Sequence, residues 1–472
     1  MGESHRAKTI MSPMNQAQTD NEESRLGYGI LALMVAGAIF GGLLQNAVST
    51  VLPDIMADTG VSVGMAQWLV SSFQLCLGIV IPLVAFFVRR FDIRALYLAS
   101  MTLFTAGTFL VAAAPNFELI FLGRILEGVG AGLSFPLVQI VVFQNYPRER
   151  WATIMGVVGL AFGFAPNVGP SIAGICAENW GWQSMFWITG AGCALVTLLM
   201  ILFLPRLSSD DPASPLDWPS VVLSSLAFGG MLMGLTNSTD SGVISANALV
   251  PLAVGIICLV AFLVRQRRIP NPLWNLDSFR NRDFTAGTIM VCLLFTAFIG
   301  VTLVLPLGMQ KAGGFSAFEA GLALLPGAVA ALIMNPLSGI WMDHRGTRGI
   351  VCFGAILLVV GTVPLVRLGE MDNLALIMTL QGIRAFGISS LIQPLSTWSV
   401  RTLERDLISD GTSISNTVRQ VAASFGVSVS VLLMSIGGAT GSVSAFGVDV
   451  AMTFSLACCV ILLALSFVFV RK

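Results

Sequence analysis

The chain has 472 residues, of which 55% are hydrophobic and 11% are charged, and its formal net charge is zero. A soluble domain carries about 25% charged residues, so this composition excludes a water-soluble globular protein of this size and indicates a chain covered by lipid. The eight cysteines show no paired metal-ligand spacing and there are two histidines, so the sequence predicts no metal site and no other cofactor.

Residues 1–27 are polar and are predicted to form a disordered cytoplasmic tail. Beyond them, runs of about 20 apolar residues, the length that spans a bilayer, predict fourteen transmembrane helices. They lie near 28–52, 64–88, 95–114, 117–144, 151–175, 184–204, 219–236, 249–265, 284–308, 317–341, 350–367, 374–399, 411–435 and 449–470.

The basic residues predict the orientation of these helices. With the amino terminus inside, the cytoplasmic loops receive nearly all of them, beginning with Arg89, Arg90 and Arg94, whereas the external loops receive only Lys311 and Arg367. Because cytoplasmic loops of membrane proteins are enriched in Lys and Arg, both termini are predicted to be cytoplasmic.

An internal repeat divides the chain. The segment Pro82–Arg94 aligns without a gap with Pro336–Arg348, and both begin with Pro-Leu and end with Arg. This predicts two six-helix halves, residues 28–206 and 284–472, separated by a linker, 207–283, that carries two inserted helices. Parallel repeats of this kind are typical of transporters that rock two bundles around a central site.

Several segments occur in the order and place expected of one family. They are Leu44–Pro53, Trp68–Phe73, Arg124–Gly132, the Gly- and Pro-rich fifth helix, Gly339–Arg348 and Asn416–Gln420. With these, the sequence resembles the major facilitator superfamily, in particular its fourteen-helix drug:proton antiporter branch. The resemblance implies an all-α integral membrane fold in the bacterial plasma (inner) membrane, a monomer, and export of a lipophilic or amphipathic small molecule in exchange for protons by alternating access.

Arg124 and Glu127 form the most informative pair. Charges in the middle of a membrane are costly and therefore rare, and Glu127 is the one carboxylate placed deep in a predicted span. Three residues apart on a helix, the two side chains share a face. One hypothesis is that Glu127 binds the coupling proton and Arg124 adjusts its affinity; the alternative is a static ion pair.

The resemblance also implies gating elements. The small residues and prolines of the fifth helix would form a face that slides against the other half, or simply pack closely; they are Gly156, Ala165, Pro166, Gly169, Pro170 and Gly174. The two repeated loops would form ion pairs that close the cytoplasmic side, through Arg90, Asp92, Arg94, Asp343 and Arg348. The alternative for the first loop is that its arginines only determine topology.

The sequence departs from the family at four positions. Leu44 stands where many relatives carry an acid that would favour cationic drugs, and Glu127 stands where many carry Gln. This suggests that the ionisable group has moved from one helix to the other. In the first repeated loop, Arg89 occupies the position of the family's Asp, and Asp92 occupies the usual Gly position.

Polar and aromatic residues within the spans are candidates for the substrate cavity, although each polar one could instead bond between helices. They are Gln45, Asn46, Phe73, Gln74, Gln139, Asn167, Asn335, Gln393, Trp398 and Asn416. Arg384 and Arg419 could hold an anionic group or reach the cytoplasmic headgroups, and the sequence leaves both open.

The predicted partners are a small-molecule substrate, protons and membrane lipid, with no nucleic acid. The alternative within transport is a uniporter or importer of a small organic metabolite without proton antiport. The sequence contains no Gly-x-x-x-x-Gly-Lys loop for ATP, and no converging nucleophile, acid and metal ligands, so an enzyme is not expected.

Overall fold

The structure is a computed structural model that describes residues 27–205, 217–241, 245–270, 272–311, 313–368, 371, 373–434, 436 and 444–470. The predicted tail up to residue 26 and most of the first part of the predicted linker, 207–216, lie outside the described residues. Every regular element in the described part is helical, as expected for a chain that must satisfy its backbone polar groups in lipid.

We number the long helices in chain order, treating a helix with an internal break as one element. They are α1 Tyr28–Thr59; α2 Val63–Val80, continued through a 3₁₀ turn Ile81–Leu83 by Val84–Arg90; α3 Ile93–Ala113; α4 Phe117–Asn145; α5 Trp151–Gly159, π-helical Leu160–Phe164 and Ala165–Trp180; α6 Gln183–Phe203; α7 Trp218–Ser241; α8 Ala246–Gln266; α9 Arg282–Lys311; α10 Ala317–Leu322 and Leu325–Arg345; α11 Thr347–Leu365; α12 Leu374–Arg401; α13 Ile408–Met434; and α14 Ala445–Phe469. Single 3₁₀ turns lie at Arg148–Arg150, Leu276–Arg280 and Arg405–Leu407.

Thirteen helices in the described residues are long and apolar enough to cross a membrane. They correspond to thirteen of the predicted runs. The run near 151–175 is the exception, because α5 is divided by its π-helical segment into pieces of 9, 5 and 16 residues. Such π-helical segments are rare in proteins, and those that do occur often lie at functional sites. The number of fourteen spans therefore stays a prediction.

Polar residues fix the starts of several helices. Asp92 accepts a hydrogen bond from the Arg94 backbone N–H at the start of α3, and Asn116 accepts one from Leu119 at the start of α4. A cap of this kind satisfies a backbone donor that the first turn leaves free. The predicted short loops between the spans are consistent with these boundaries.

The helices pack as two groups with a pair between them. In the first group α1 packs on α5 and α3 lies between α4 and α6; in the second, α12 packs on α10 and α11, and α9 on α13 and α14. Helices α7 and α8 pack on each other, and α7 also touches α2 and α13. We call α1–α6 the first half, α7 and α8 the inserted pair, and α9–α14 the second half; the exact domain boundaries stay a prediction.

Candidate functional site

A buried ion pair lies in the first half, on α4. The guanidinium of Arg124 is 2.5 Å from the carboxylate of Glu127, and both side chains are fully buried. The three-residue spacing on one helix places them side by side, as the sequence predicted. The pair is thus sealed from solvent in this conformation.

Arg124 also joins α4 to α1 and α2. Its Nε donates to the Leu69 carbonyl at 3.0 Å, one terminal nitrogen donates to the Leu44 carbonyl at 3.4 Å, and its guanidinium lies 4.5 Å from the centre of the Phe73 ring. Its other terminal nitrogen and one oxygen of Glu127 have no hydrogen-bond partner. Since buried polar atoms are normally paired, this pair retains capacity for another arrangement.

A layer of amide side chains on α1, α2, α4 and α13 joins the two halves. Gln74 of α2 accepts hydrogen bonds from Gln45 of α1 at 3.5 Å and from Gln420 of α13 at 3.0 Å. Asn416, one turn earlier on α13, donates to Gln139 of α4 at 2.8 Å. We call these five residues the amide layer. Four of them are predicted cavity residues. The fifth, Gln420, is part of the family motif Asn416–Gln420 but is not a predicted cavity residue.

A second amide cluster faces α5. Asn335 of α10 donates to the carbonyl of Gly159 at 3.1 Å, and Gln393 of α12 lies against the same glycine. Each of these two residues is only 1% exposed. The nitrogen and oxygen of the Gln393 amide and the amide oxygen of Asn335 are buried and have no hydrogen-bond partner. Unsatisfied buried amides are the groups that a bound polar molecule would satisfy.

The other predicted cavity residues make contacts within one half. Asn46 donates to the carbonyl of Pro166 at 3.2 Å, and Asn167 donates to Gly163 within its own helix. Phe73 stacks against Arg124, and Trp398 is buried where α12 meets α9. The structure therefore does not bring all ten predicted residues to one place.

The end of the molecule that carries most of the loop arginines, called the basic end, is closed by contacts between the halves. One nitrogen of Arg89 on α2 lies 2.9 and 2.7 Å from the two carboxylate oxygens of Asp410, in the first turn of α13. Gln144 of α4 donates to Ser409 at 3.3 Å. Arg148 donates to the carbonyl of Leu403 at 3.1 Å.

Asp410 was not among the predicted site residues. The predicted thirteenth run began at 411, one residue beyond it, because this part of α13 is polar. The signal that was available is an acidic residue in the first turn of a polar helix, opposite an arginine that replaces the family's Asp. Through Arg89, the pair gives the first loop a contact between the two halves.

The neighbours of Arg89 in this loop make contacts inside the first half. Asp92 begins α3, Arg94 donates to the carbonyl of Ile201 at 2.7 Å, and the guanidinium of Arg90 lies 5.8 Å from the Phe91 ring. The gating role of Arg90, Asp92 and Arg94 stays a prediction.

The second repeated loop does cross between halves. Asp343, at the end of α10, accepts hydrogen bonds from the backbone N–H groups of Ala152 and Thr153 at 3.3 and 2.7 Å. These are the first residues of α5, where free N–H groups and the helix dipole favour a negative charge. Arg348, the other predicted residue of this loop, is exposed.

The small residues of α5 divide into two faces. A Cβ at Gly156 would lie 2.6 Å from the carbonyl oxygen of Asn335, so this part of α5 touches the second half. Ala165 and Pro166 lie against Gly42 of α1, and Gly169 lies against the backbone of the same helix. For Gly174, the nearest atom to an added Cβ is 3.7 Å away on Thr50, also in α1. Pro170 lies within the helix between them.

The hydrogen bonds described above that join the two halves share one property. On each helix they lie near its middle or between its middle and its basic end, from the amide layer to Arg89, Asp343 and Asp410. The basic end is thus the closed side of the interface between the halves in this conformation.

Comparison with known proteins agrees with this architecture. Residues 34–427 match the family model described as Major Facilitator Superfamily. The chain is 36% identical over 406 residues to the uncharacterized MFS-type transporter YcnB of Bacillus subtilis, covering 86% of each chain. It is 33% identical over 424 residues to the lincomycin resistance protein LmrB of Listeria monocytogenes, covering 90% of each chain.

The fold is also similar to a solved structure. The crystal structure of the human organic anion transporter MFSD10 matches with a TM-score of 0.66 and 14% identity, over 93% of this chain and 97% of that one. At this identity the similarity concerns the fold alone. The sequence matches, the helical architecture and the many apolar helices lead to one conclusion: the chain belongs to the Major Facilitator Superfamily and is a multi-pass inner-membrane transporter, not an enzyme.

Proposed function

We propose that this protein exports a lipophilic or amphipathic small molecule in exchange for protons by alternating access. In this proposal it has fourteen spans with both termini cytoplasmic and works as a monomer. The basic end then faces the cytoplasm, and the closed contacts there describe an outward-facing state. The similarity to LmrB, whose name refers to lincomycin resistance, supports a drug-like substrate.

One observation carries the proton coupling. Arg124 contacts Leu44 and Phe73, and the next residues along the chain, Gln45 and Gln74, belong to the amide layer. A change in the Arg124–Glu127 pair therefore acts directly beside the contact between the halves. This adjacency supplies a physical link between a protonation and a conformational change.

In the proposed step, protonation of Glu127 removes the negative charge that pairs with Arg124. The guanidinium then keeps only its carbonyl acceptors on α1 and α2 and its contact with the Phe73 ring. A fully buried guanidinium without a counter-charge is costly, and the helices around it rearrange to reduce that cost. Rearrangement of α1 and α2 shifts Gln45 and Gln74 and so weakens their contact with Gln420.

The unsatisfied amides at Gln393 and Asn335, together with the amide layer, are proposed to bind the substrate's polar groups. The contacts of Arg89 and Asp343 are proposed to close the cytoplasmic side, and the small residues of α5 to form the moving surface. Arg90, Asp92, Arg94 and Arg348 remain proposed gating residues.

The purified protein in proteoliposomes with an imposed pH gradient tests the proposal. We expect gradient-driven movement of a lipophilic fluorescent substrate, and proton movement when substrate is added. In Glu127→Gln, gradient-driven transport is expected to fall to background while exchange of labelled for unlabelled substrate continues. Glu118→Gln is the matched control, because Glu118 is exposed at the start of the same helix.

Two results would contradict the proposal. Undiminished gradient-driven transport in Glu127→Gln would remove Glu127 from the coupling. Transport by the wild-type protein that is indifferent to the pH gradient would favour the uniporter or importer.

A further inference from the structure

Arg419 is a cation beside the amide layer that the coupling mechanism does not use. It follows Asn416 by three residues and precedes Gln420 on α13, and both of those bond to the first half. Its guanidinium lies 5.1 Å from the centre of the Phe295 ring on α9. Arg419 lies eleven residues from the start of α13, about 17 Å along the helix at 1.5 Å per residue.

Phe295 lies on α9 where that helix packs against α13. Two neighbours on α9, Thr296 and Ala297, contact α13 and α14: Thr296 donates to the carbonyl of Ala422, and the carbonyl of Ala297 accepts from Ser455. Phe295 packs against the core of the second half beside Arg419, and both side chains are only partly buried. A cation over an aromatic ring, beside amides and partly accessible, forms a surface suited to an anion with an apolar body.

The charges in the middle of the spans favour a negative ligand. In the described helices, four charged residues lie at least seven residues from either end of their helix, namely Arg124, Glu127, Arg384 and Arg419, which gives a formal charge of +2 (three minus one). Arg124 and Glu127 balance each other. Leu44 replaces the acid that would attract a cation, and it is fully buried.

Arg384 adds to this charge without reaching the ligand. Its side chain is fully buried, and it donates to the carbonyl of Ala297 at 2.9 Å and to Gln381 at 3.4 Å, which are both neutral; its Nε has no hydrogen-bond partner. An uncompensated guanidinium in the membrane interior is costly. A negative charge that enters the cavity offsets part of that cost.

We infer that the exported compounds are amphipathic anions, an aromatic or otherwise apolar body with a carboxylate or sulfonate, and that Arg419 and Phe295 bind the charged end. This inference rests on the proposed function, since it names the substrate class of the same cavity. Arg419 supplies a planar donor for the anion, and Phe295 holds the guanidinium in place. The amide layer then contacts the neutral part of the compound.

The charge of the substrate has a consequence for energetics. Export of a monovalent anion against the entry of one proton moves two positive charges inward per cycle. An inside-negative membrane potential therefore drives the cycle in addition to the pH gradient. Export of a neutral compound would move one charge, and export of a monovalent cation would move none.

The test uses the full-length protein in proteoliposomes made from phosphatidylcholine, so that no lipid carries a net charge. The probes are 8-anilinonaphthalene-1-sulfonate as the aromatic anion and ethidium as the aromatic cation, with equal pH gradients. We expect saturable transport of the anion at least tenfold faster than that of the cation. Adding anionic phosphatidylglycerol to the vesicles shows whether a lipid headgroup competes for the same site.

Three variants of Arg419 and one of Phe295 separate the effect of charge from an effect on folding. Arg419→Gln is expected to reduce anion transport at least tenfold, Arg419→Lys to retain part of it, and Arg419→Glu to shift the preference toward ethidium. Phe295→Leu, which keeps the charge, is expected to weaken anion affinity about threefold to tenfold. Glu118→Gln again serves as the control, and thermal melting of each variant checks that it is folded.

The outcomes separate the inference from the proposed function. Proton-driven transport of ethidium in preference to the sulfonate, or anion transport unchanged in Arg419→Gln, would overturn the inference and leave proton-coupled export intact. Failure to move either probe under a pH gradient would overturn both. Loss of anion transport when phosphatidylglycerol is added would identify an anionic lipid as the ligand and contradict export of a soluble anion.

Discussion

Replacing Arg89 by alanine is expected to open the basic end of the protein. The Arg89 side chain contacts both carboxylate oxygens of Asp410, and its other terminal nitrogen donates to the carbonyls of Pro272 and Leu273 at 2.7 and 3.2 Å. It thus ties α2, the segment that follows the inserted pair, and α13 together. Alanine removes all four contacts at once.

The magnitude follows from the burial of the two partners. The Asp410 side chain is 2% exposed and that of Arg89 is 23% exposed. Removing one partner of a buried ion pair costs about 3–5 kcal/mol, but water from the basic end can reach Asp410 once the arginine is gone. We therefore take the lower range of about 1.5–3 kcal/mol for lost hydrogen bonds to a charged group, which shifts the equilibrium between closed and open by roughly 10- to 150-fold.

Pulsed EPR distances between two spin labels would measure this shift. Glu149 and Glu404 are exposed at the basic end of the two halves, and cysteines at these positions, in a protein whose eight native cysteines have been replaced, carry the labels. The wild-type background is expected to show one short distance. Arg89→Ala is expected to add a longer distance, and Asp410→Asn a smaller fraction of it, because Arg89 is the more exposed partner.

The double exchange Arg89→Asp with Asp410→Arg is the control for charge. It reverses both charges, and we expect it to restore most of the short distance while leaving the carbonyls of Pro272 and Leu273 without their donor. A distance distribution in Arg89→Ala that matches the wild type would show that this ion pair does not hold the basic end closed.

Further expectations concern packing, an unsatisfied amide and a surface ion pair. A Cβ at Gly339 would overlap a backbone carbonyl of α5, whereas one at Gly321 of the same helix, α10, meets no atom within 4 Å; Gly339→Ala should lengthen the EPR distance and slow transport, and equal behaviour of Gly321→Ala would count against the close packing. Gln393→Leu removes two unsatisfied polar atoms, so we expect a higher melting temperature but weaker substrate binding, and a lower melting temperature with unchanged binding would contradict this. Hydrogen bonds from Arg265 lower the pKa of Asp217, just outside α7, so the pair stabilises the inserted helices above the ordinary Asp pKa of about 4 and loses this effect as the pH falls through the lowered value. Asp217→Asn should therefore lower stability by at most about 1 kcal/mol at pH 7, and a loss that did not shrink in acid, measured by thermal melting, would exclude the pair as its cause.

Most of the fold could be predicted from the sequence, because lipid imposes strong constraints on the length and composition of each spanning helix. A spanning helix must be long and apolar, and thirteen of the predicted runs coincide with helices that meet this requirement. The fifth run shows the limit of the method. Its composition predicts one helix, whereas its glycines and prolines permit a π-helical break at Leu160–Phe164 that apolar length does not reveal.

The candidate site could be predicted only in part from the sequence. Arg124 and Glu127 could be paired from their spacing, because both lie on one helix. The partners of Arg89 and Asp343 could not, since Asp410 and the start of α5 are 321 and about 190 residues away along the chain. The amide contacts of Gln139 with Asn416 and of Gln74 with Gln420 also join distant residues, 277 and 346 apart along the chain.

By itself, the sequence determined that the chain is a membrane-embedded helical protein with a repeated design and one deep carboxylate beside an arginine. These properties depend on composition and local spacing, and solvation in lipid acts on each segment separately. The tertiary structure decided which end is closed, that Arg89 pairs with Asp410, that Asp343 caps α5, and that Arg384 is sealed while Arg419 borders the amide layer. Those facts depend on how helices from the two halves meet, and close packing between distant segments is not encoded in the periodicity of either one.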